Sequence, residues 1–430
     1  MDSLNTLSAV DAVTQIAQGK ITSEALVRDC LERIDAREAE VHAWQFLDRD
    51  AAIRQARVLD AGPGRGLLHG LPVGIKDVID TVDMPAAYGS RIYAGHRPPW
   101  DAPCVALTRA AGGVIMGKTV STEFALMQPG PTCNPRNTRH TPGGSSSGSA
   151  AAVADDMVPL ALGTQTAGSV IRPASYCGVV GYKPSFGMIS RVGVKALAET
   201  LDTVGILARS VADAALYGAV VAGRPDFVIR HDEDVRPRVG ICRSHEWQHA
   251  HPAMRAALDS AASVLSNAGI PVKSISLPSQ FGALAQAQTD IMLRELTQSL
   301  AHERLTCNTR LSQRLRDMLS AGAAVTLDQY EAALSLAQAC RAALPDVFAE
   351  YDVLLSPSAP GAAPSGLDAT GDPIFNRVWT LLHVPCISIP VACTADGLPL
   401  GLQIVGNRRS DARTLVAAHR LHQLLLPRMR

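Results

Sequence analysis

The sequence predicts an α/β fold in which a large mixed β-sheet is covered on both faces by helices. Segments with helical periodicity alternate with short apolar runs rich in β-branched residues along most of the 430 residues. The composition, 47% hydrophobic and 19% charged residues, is typical of a well-packed globular protein. No internal repeat or low-complexity linker divides the chain. We therefore expect one domain over residues 1–430.

The amino-terminal part is predicted to be helical. The pair Thr22-Ser23 is typical of a helix start, and the glycine- and proline-rich residues 62–66 end this part. A short apolar strand follows over residues 71–75, which places Lys76 at its end. Functional sites of α/β proteins tend to lie at strand ends, so Lys76 is a candidate site residue. The helices predicted before this strand cover residues 11–18, 23–34 and 49–59.

Strands and helices continue to alternate downstream of Lys76. We predict a helix over residues 102–111, a strand over 114–116, a loop over 128–147 and a helix over 149–154. Residues 250–350 are rich in Ala, Leu, Gln and Arg and contain few glycines, which predicts a helical section laid over the core. The tail returns to strands at 353–355, 386–391 and 401–405, and to a closing helix at 411–425.

Charge and hydropathy favour a small-molecule partner. The formal net charge of zero provides no basic surface for nucleic acid or for an anionic membrane. No apolar run approaches the roughly 20 residues that cross a bilayer, and the first residues do not resemble a signal peptide, so we expect a cytoplasmic protein. Nine widely spaced cysteines without a C-x-x-C pair indicate reduced thiols. We expect no metal and no organic cofactor. Assembly into a homodimer is left as an open alternative.

Two motif matches point to other classes of site, and their context argues against both. Residues 112–119 (GGVIMGKT) fit the letters of a phosphate-binding loop, but the interval between the glycines is itself the apolar strand. Residues 245–249 (HEWQH) fit the zinc-binding pattern H-E-x-x-H, which requires a helix. Here the motif follows a strand-like segment at once and meets Pro252, so a loop is predicted.

A third match keeps an alternative mechanism open. Residues 144–148 (GSSSG) fit the nucleophile elbow of α/β-hydrolases, with Ser146 as nucleophile and a downstream histidine such as His383 as base. An elbow needs a strand that runs into it. Residues 133–142 contain two prolines, two asparagines and two arginines, a composition that disfavours a central strand.

The most informative pattern joins Lys76 to Ser145 and Ser169, two serines 24 residues apart in the glycine-rich stretches 141–150 and 163–173. A serine hydroxyl needs a base before it attacks a carbonyl. A lysine is such a base when burial without a carboxylate partner lowers its pKa from about 10.4. The neighbouring Asp77 would point to the opposite face of a strand, so it need not pair with Lys76. One serine would then relay protons between the lysine and the attacking serine.

This pattern, with residues 74–77 (GIKD), resembles the amidase signature family, and the resemblance extends over residues 25–424. It implies the amidase-signature fold, a catalytic core over about 65–215 and 350–430, and the helical section over about 250–350. It also implies that Ser169 is the nucleophile, that Ser145 is the relay and follows a cis bond from Gly144, and that Lys76 is the base. Ser146 would support the site. Small side chains leave the backbone N–H groups of Thr166, Ala167, Gly168 and Ser169 to form an oxyanion hole.

Within the family, the chain resembles malonamidase-type enzymes most. Arg172 stands three residues after the nucleophile, as in that type, where the arginine contacts a substrate carboxylate; alternatively, Arg172 holds a protein carboxylate or backbone carbonyls. The resemblance implies hydrolysis of a small amide such as malonamate through an acyl-enzyme. Carbamate (urethane) or aryl-amide hydrolysis, or an amidotransferase A-type subunit, are the alternatives. In the helical section, Gln288, Asp290 and Arg294 are polar candidates by composition alone.

Overall fold

The computed structural model describes residues 3–229 and 235–426. The described residues form one 11-stranded sheet with parallel and antiparallel neighbours and fifteen α-helices, which confirms the predicted mixed α/β fold. The ends of the expected domain at residues 1–2 and 427–430 lie outside this part of the chain, as do residues 230–234. The division into a single domain with a catalytic core and a helical section stays a prediction.

The sheet consists of eleven strands, numbered along the chain. They are β1 (Trp44–Leu47), β2 (Pro72–Lys76), β3 (Val114–Thr119), β4 (Leu160–Gln165), β5 (Val180–Lys183), β6 (Thr203–Ala208), β7 (Val239–Cys242), β8 (Val272–Ile275), β9 (Val353–Pro357), β10 (Cys386–Cys393) and β11 (Pro399–Gly406). Their order across the sheet is β1-β3-β2-β4-β6-β5-β10-β11-β9-β7-β8. Strand β2 lies between β3 and β4 and runs parallel to both, whereas β4 and β6 are antiparallel. All residues of β2, β3, β4 and β6 are buried, because helices cover both faces of the sheet here.

The helices that begin the chain form where capping residues precede apolar stripes. The side chains of Ser8, Thr22 and Asp48 accept backbone N–H groups at the starts of the first three helices. The helices are α1 (Ala9–Ala17), α2 (Ser23–Val41), α3 (Arg49–Asp60), α4 (Pro103–Ala110), α5 (Ser147–Ala154), α6 (Ile171–Cys177), α7 (Val211–Val221), α8 (Pro252–Asn267), α9 (Leu284–Ser299), α10 (Ala301–Thr306), α11 (Gln313–Ala324), α12 (Leu327–Ala342), α13 (Leu344–Val347), α14 (Ile374–Leu381) and α15 (Asp411–Leu425).

The segment predicted to be helical holds α8 to α13, but it also contains a strand. Strand β8 pairs in parallel with β7 and forms the edge of the sheet. Helix α9 packs against α11 and α12 of the same segment and against α14, which belongs to the carboxy-terminal part. This contact brings the helical section close to the turn after β4. Among the described residues, each helix is too short or too polar to cross a membrane.

Candidate active site

The amine of Lys76 lies at the centre of the candidate site. Lys76 is the last residue of β2, and its side chain is completely buried. Nζ donates to Ser145 Oγ at 2.7 Å and to Thr164 Oγ1 at 2.8 Å, and no ion-pair partner is found among the described residues. Burial lowers the pKa of Lys76 well below its usual 10.5, although the charge of Asp202 opposes this shift. These conditions favour a neutral amine between two hydroxyl groups.

The neighbouring carboxylate of Asp77 does not reach Lys76. Asp77 Oδ1 lies 3.6 Å from Lys118 Nζ on the adjacent strand, and it accepts the backbone N–H of Ala87 at 3.2 Å. Successive side chains of a strand point to opposite faces, so Asp77 faces Lys118 while Lys76 faces the serines. Lys76 is therefore buried without a carboxylate partner.

Ser145 reaches the lysine from the loop before α5. Its side chain is 1% exposed, and the Gly144–Ser145 peptide bond is cis. The carbonyl of Ser145 accepts the N–H of Thr122 at 3.3 Å. Gly144 is packed so closely that an added Cβ atom would lie 2.9 Å from Thr370 Cγ2. Only a glycine fits at this position without moving its neighbours.

Ser146 forms hydrogen bonds with the backbone of Thr164 and of Ser169. Its hydroxyl donates to the carbonyl of Thr164 and accepts the N–H of the same residue, both at 3.2 Å. Its own N–H donates to the carbonyl of Ser169 at 3.3 Å. These contacts bring the two glycine-rich stretches together and place Ser145 beside the turn that carries Ser169.

The elbow alternative finds no matching geometry in the described residues. Residues 133–142 form turns and isolated bridges and no strand leads into Ser146. His383 stacks on Phe186, with ring centroids 4.1 Å apart, and its Nε2 lies 2.8 Å from the carbonyl of Thr200. Burial and the nearby Arg341 lower the pKa of His383 to about 3. This histidine has its own partners, and Ser146 is not among them.

Ser169 lies in the turn between β4 and α6. The residue is 8% exposed, and its hydroxyl forms no hydrogen bond with the described part of the chain. The side chain of Gln165 holds the turn, since its Oε1 accepts the N–H groups of Val170 and Ile171 at 2.9 and 3.0 Å. The turn thus leaves the Ser169 hydroxyl for a ligand and satisfies the first N–H groups of the helix.

Residues 166–169, here called the oxyanion segment, present backbone N–H groups without a partner. No described residue accepts a hydrogen bond from the N–H of Ala167, Gly168 or Ser169. The Thr166 hydroxyl donates to the buried Asp202 carboxylate at 2.5 Å, which fixes the start of the segment. Unpaired N–H groups beside a serine are suited to a developing oxyanion.

Arg172 holds the backbone around the site. Its guanidinium donates to the carbonyls of Gly371 at 2.6 Å and Gly144 at 2.8 Å, and to Thr370 Oγ1 at 3.2 Å. The side chain is 3% exposed, and burial lowers its pKa to about 10. The sequence left open whether Arg172 binds a substrate carboxylate, a protein carboxylate or backbone carbonyls. In the structure it binds backbone carbonyls. In the described chain Arg172 forms no ion pair with a carboxylate, and its Nε is buried without a partner.

The polar candidates of the helical section have different positions. Gln288 on α9 is completely buried, and its Nε2 donates to the carbonyl of Thr166 at 3.0 Å. Asp290 accepts from Gln286 on the exposed side of the helix, and Arg294 donates to the carbonyl of Val325. Only Gln288 thus reaches the oxyanion segment. Nothing in the sequence favoured it over the other two.

In the described chain, the two remaining motif matches form neither a phosphate-binding loop nor a zinc-binding helix. Strand β3 begins at Val114, inside the first motif, and α4 precedes it, so the glycines do not form a phosphate-binding loop. Residues 245–249 form a turn and a 3-10 helix, and α8 begins only at Pro252. Across the residues that the structure describes, no group of three His, Cys, Asp or Glu side chains is placed to hold a metal ion.

Comparisons with known proteins identify the family of this chain. The Amidase family model matches residues 25–415. The chain is 36% identical to the A subunit of a glutamyl-tRNA(Gln) amidotransferase from Chloroflexus aggregans, over 97% of this chain and 96% of the relative. A solved amidase is 30% identical with a TM-score of 0.89, over 97% of this chain and all of that chain.

A peptide amidase from Stenotrophomonas maltophilia is 28% identical with a TM-score of 0.82, over 98% of this chain and 97% of that chain. These similarities cover the sheet, the helical section and the serine- and lysine-bearing segments together. This chain therefore belongs to the amidase signature family and is an enzyme that acts on amide C–N bonds.

Proposed function

We propose that this enzyme hydrolyses a small carboxylic amide to the acid and ammonia, with Ser169 as nucleophile, Ser145 as proton relay and Lys76 as base. One observation carries the proposal: within the part of the chain that the structure describes, the buried amine of Lys76 forms hydrogen bonds with hydroxyl groups only, and one of them belongs to Ser145. A neutral amine accepts a proton from a hydroxyl group, so the pair is suited to activate a second serine nearby.

The proposed steps follow from these positions. Ser169 Oγ bonds to the amide carbon while its proton passes to Ser145 Oγ, which gives its own proton to Lys76 Nζ. The carbonyl oxygen of the substrate becomes an oxyanion, which accepts hydrogen bonds from the backbone N–H groups of the oxyanion segment. When the C–N bond breaks, the relay runs in reverse and protonates the leaving nitrogen, which releases ammonia. Water then attacks the ester of Ser169 by the same relay and releases the acid.

The favoured substrates are amides with a nearby carboxylate, such as malonamate. Arg172 supports this class, because it is a buried cation three residues after Ser169 and its hydrogen-bond acceptors among the described residues are all neutral. A substrate carboxylate would supply the negative charge that the buried Arg172 guanidinium otherwise lacks as a partner. Carbamates and aryl amides fit the same mechanism and form the alternative. A test compares malonamate with its neutral methyl ester: a kcat/KM no higher for malonamate would contradict the carboxylate preference.

The experiment that tests the proposed function measures ammonia release from a panel of amides and one carbamate. Ser169→Ala and Lys76→Ala are expected to abolish release. A fluorophosphonate probe is expected to label Ser169, and mapping the labelled peptide separates Ser169 from Ser146. Release that persists in Ser169→Ala, or labelling at Ser146, would overturn the assignment.

A second candidate function is that of an amidotransferase A-type subunit, which passes ammonia to an acyl acceptor instead of releasing it. The observation in its favour is the similarity to the A subunits of two glutamyl-tRNA(Gln) amidotransferases, at 36% and 35% identity over 97% and 96% of this chain. Ammonia release from a free amide by the purified chain alone would argue against a required partner. The cytoplasmic location and a homodimer stay predictions from the sequence.

A further inference from the structure

Three consecutive carbonyl groups of the oxyanion segment are each bound by a donor from the protein. Gln288 Nε2 donates to the carbonyl of Thr166 at 3.0 Å. Thr380 Oγ1 donates to the carbonyl of Ala167 at 2.7 Å. The N–H of Arg172 donates to the carbonyl of Gly168 at 2.9 Å. The segment is therefore fixed by its carbonyl groups.

The carbonyl contacts also determine the direction of the N–H groups. A trans peptide unit is planar, and its C=O and N–H bonds point in opposite directions. Within the described chain, the one cis bond is Gly144–Ser145, so the peptide units of this segment are trans. The N–H groups of Ala167, Gly168 and Ser169 thus point away from the three donors. These are the N–H groups that have no partner in the described residues.

Two of the three donors come from outside the turn that carries Ser169. Gln288 belongs to α9 and Thr380 to α14, and they are 0% and 2% exposed. The Thr380 hydroxyl accepts Gln165 Nε2 at 3.0 Å, which leaves its own proton for the carbonyl of Ala167. The Oε1 of Gln288 is buried without a hydrogen-bond partner. Burying that oxygen is costly, and the amide is held through its nitrogen, which donates to Thr166 and also to Met292 Sδ at 3.7 Å.

We propose that Gln288 and Thr380 are positioning residues for the oxyanion hole, an inference that rests on the proposed function. Ala167 carries only a methyl group and Gly168 has no side chain, so these residues resist rotation of a peptide plane weakly. If a carbonyl loses its donor, the peptide plane is free to turn, and the N–H group on its other side no longer faces the developing negative charge. These residues act on the transition state, where the charge develops, and leave ground-state binding nearly unchanged.

Thr380 offers a matched pair of variants. Thr380→Val keeps the shape and removes the hydroxyl, whereas Thr380→Ser keeps the hydroxyl. We expect Thr380→Val to lower kcat about 10- to 100-fold with little change in KM, somewhat less than deletion of an oxyanion donor itself. Thr380→Ser should restore most of kcat. Gln288→Met, which keeps the length and removes the donor, should also lower kcat, and both variants should weaken the tetrahedral adduct with a boronic acid analogue of the best amide.

Thr108→Val is the control for the loss of a buried hydroxyl far from the site. Thr108 is completely buried and its hydroxyl bonds to the carbonyl of Cys104 and to Tyr217. If Thr380→Val lowers thermal stability like Thr108→Val and leaves kcat and boronate affinity unchanged, the inference is overturned and the proposed function stands. If Ser169→Ala is still active, the proposed function fails instead. A drop in kcat that Thr380→Ser does not restore also contradicts the inference.

Discussion

Two buried lysines on neighbouring strands show how similar surroundings give different chemistry. Lys76 ends β2 and Lys118 lies on β3, and both side chains are 0% exposed. Burial lowers the pKa of both amines. Lys118, however, lies 3.6 Å from the Asp77 carboxylate and donates to the carbonyl of Ile79 at 2.6 Å. Among the described residues, Lys76 Nζ forms hydrogen bonds only with the hydroxyl groups of Ser145 and Thr164.

The partners decide what each amine can do. An ionised carboxylate and a carbonyl only accept hydrogen bonds, so neither partner of Lys118 can give it a proton. Hydroxyl groups both donate and accept, so Ser145 can give a proton to a neutral Lys76. A third buried lysine, Lys183, donates to the carbonyls of Pro184 and Val384 and is therefore like Lys118. Burial alone does not make a base; a partner that can donate a proton is also required.

The largest expected effect follows from removing the amine of Lys76. Lys76→Met is expected to lower ammonia release about 10³-fold or more, because the general-base assistance proposed for Lys76 would be lost. The folded structure should remain, since methionine fills the space of the lysine stem without a buried amine. Rates of ammonia release and circular dichroism of the same sample measure both properties.

The pH dependence of folding stability provides a control for Lys76→Met. Burial lowers the pKa of folded Lys76 below its usual 10.5, so the unfolded chain binds the extra proton between the two pKa values. The contribution of Lys76 to stability therefore rises with pH over that window. Lys76→Met should flatten this rise in denaturant titrations. An unchanged slope together with full activity would contradict the role of Lys76.

Changing Lys118 should give the opposite pattern. Lys118→Met leaves the Asp77 carboxylate buried without its ion pair, so we expect the free energy of unfolding to fall by about 3–5 kcal/mol. Ammonia release per folded molecule should be largely retained. Urea unfolding measures the first quantity. The double variant with Asp77→Asn should recover much of the stability; if it does not, the Asp77–Lys118 pair is not the cause.

A carboxylate placed next to Lys76 should make it resemble Lys118. Thr164→Asp is expected to stabilise the charged amine and raise its pKa by about 1–3 units, which lowers activity at neutral pH about 10- to 1000-fold. The acidic limb of the kcat/KM profile should move to higher pH, so activity returns as pH rises. Thr164→Asn is the neutral control of matched shape. Equal pH profiles for the two variants would show that charge is not the cause.

The smallest expected effect concerns Lys183. Lys183→Met leaves two buried carbonyl groups without their donor, so we expect a loss of about 1–3 kcal/mol in the free energy of unfolding and no loss of ammonia release per folded molecule. Thermal unfolding and the ammonia assay test this together. A strong loss of activity in a folded Lys183→Met protein would mean that buried lysines are not distinguished by their partners.

The sequence predicted those parts of the site that local patterns encode. The strand before Lys76 and the helix after Ser146 begin within two residues of the predicted positions, because a short apolar run and an alanine-rich run encode them locally. The roles of the three site residues stay predictions from the resemblance. Strands β1, β4, β5, β6 and β8 were not predicted. Strands β1 and β8 are four residues long and partly exposed and so carry a weak pattern, whereas β4, β5 and β6 are buried and each contain a glycine, which weakens a strand pattern.

The missed contacts share a different cause. Gln288 and Thr380 meet the oxyanion segment across 122 and 213 residues of sequence, and no local pattern records such a meeting. Asp202, just before β6, likewise bonds to Thr166 from 36 residues away. The contacts of Gln288 and Thr380 depend on how α9 and α14 pack together, which is a property of the assembled fold.

The position of Gln288 on α9 has a consequence for enzyme engineering. Replacing the helical section with that of a relative, as an attempt to alter substrate selectivity, would also replace the donor to the Thr166 carbonyl. If Gln288 has the proposed positioning role, a chimera of that kind would have a lower kcat for every substrate unless the graft carries a glutamine at the same point of the helix. Selectivity and speed are therefore best redesigned in separate steps, with Gln288 kept while its neighbours on α9 are varied.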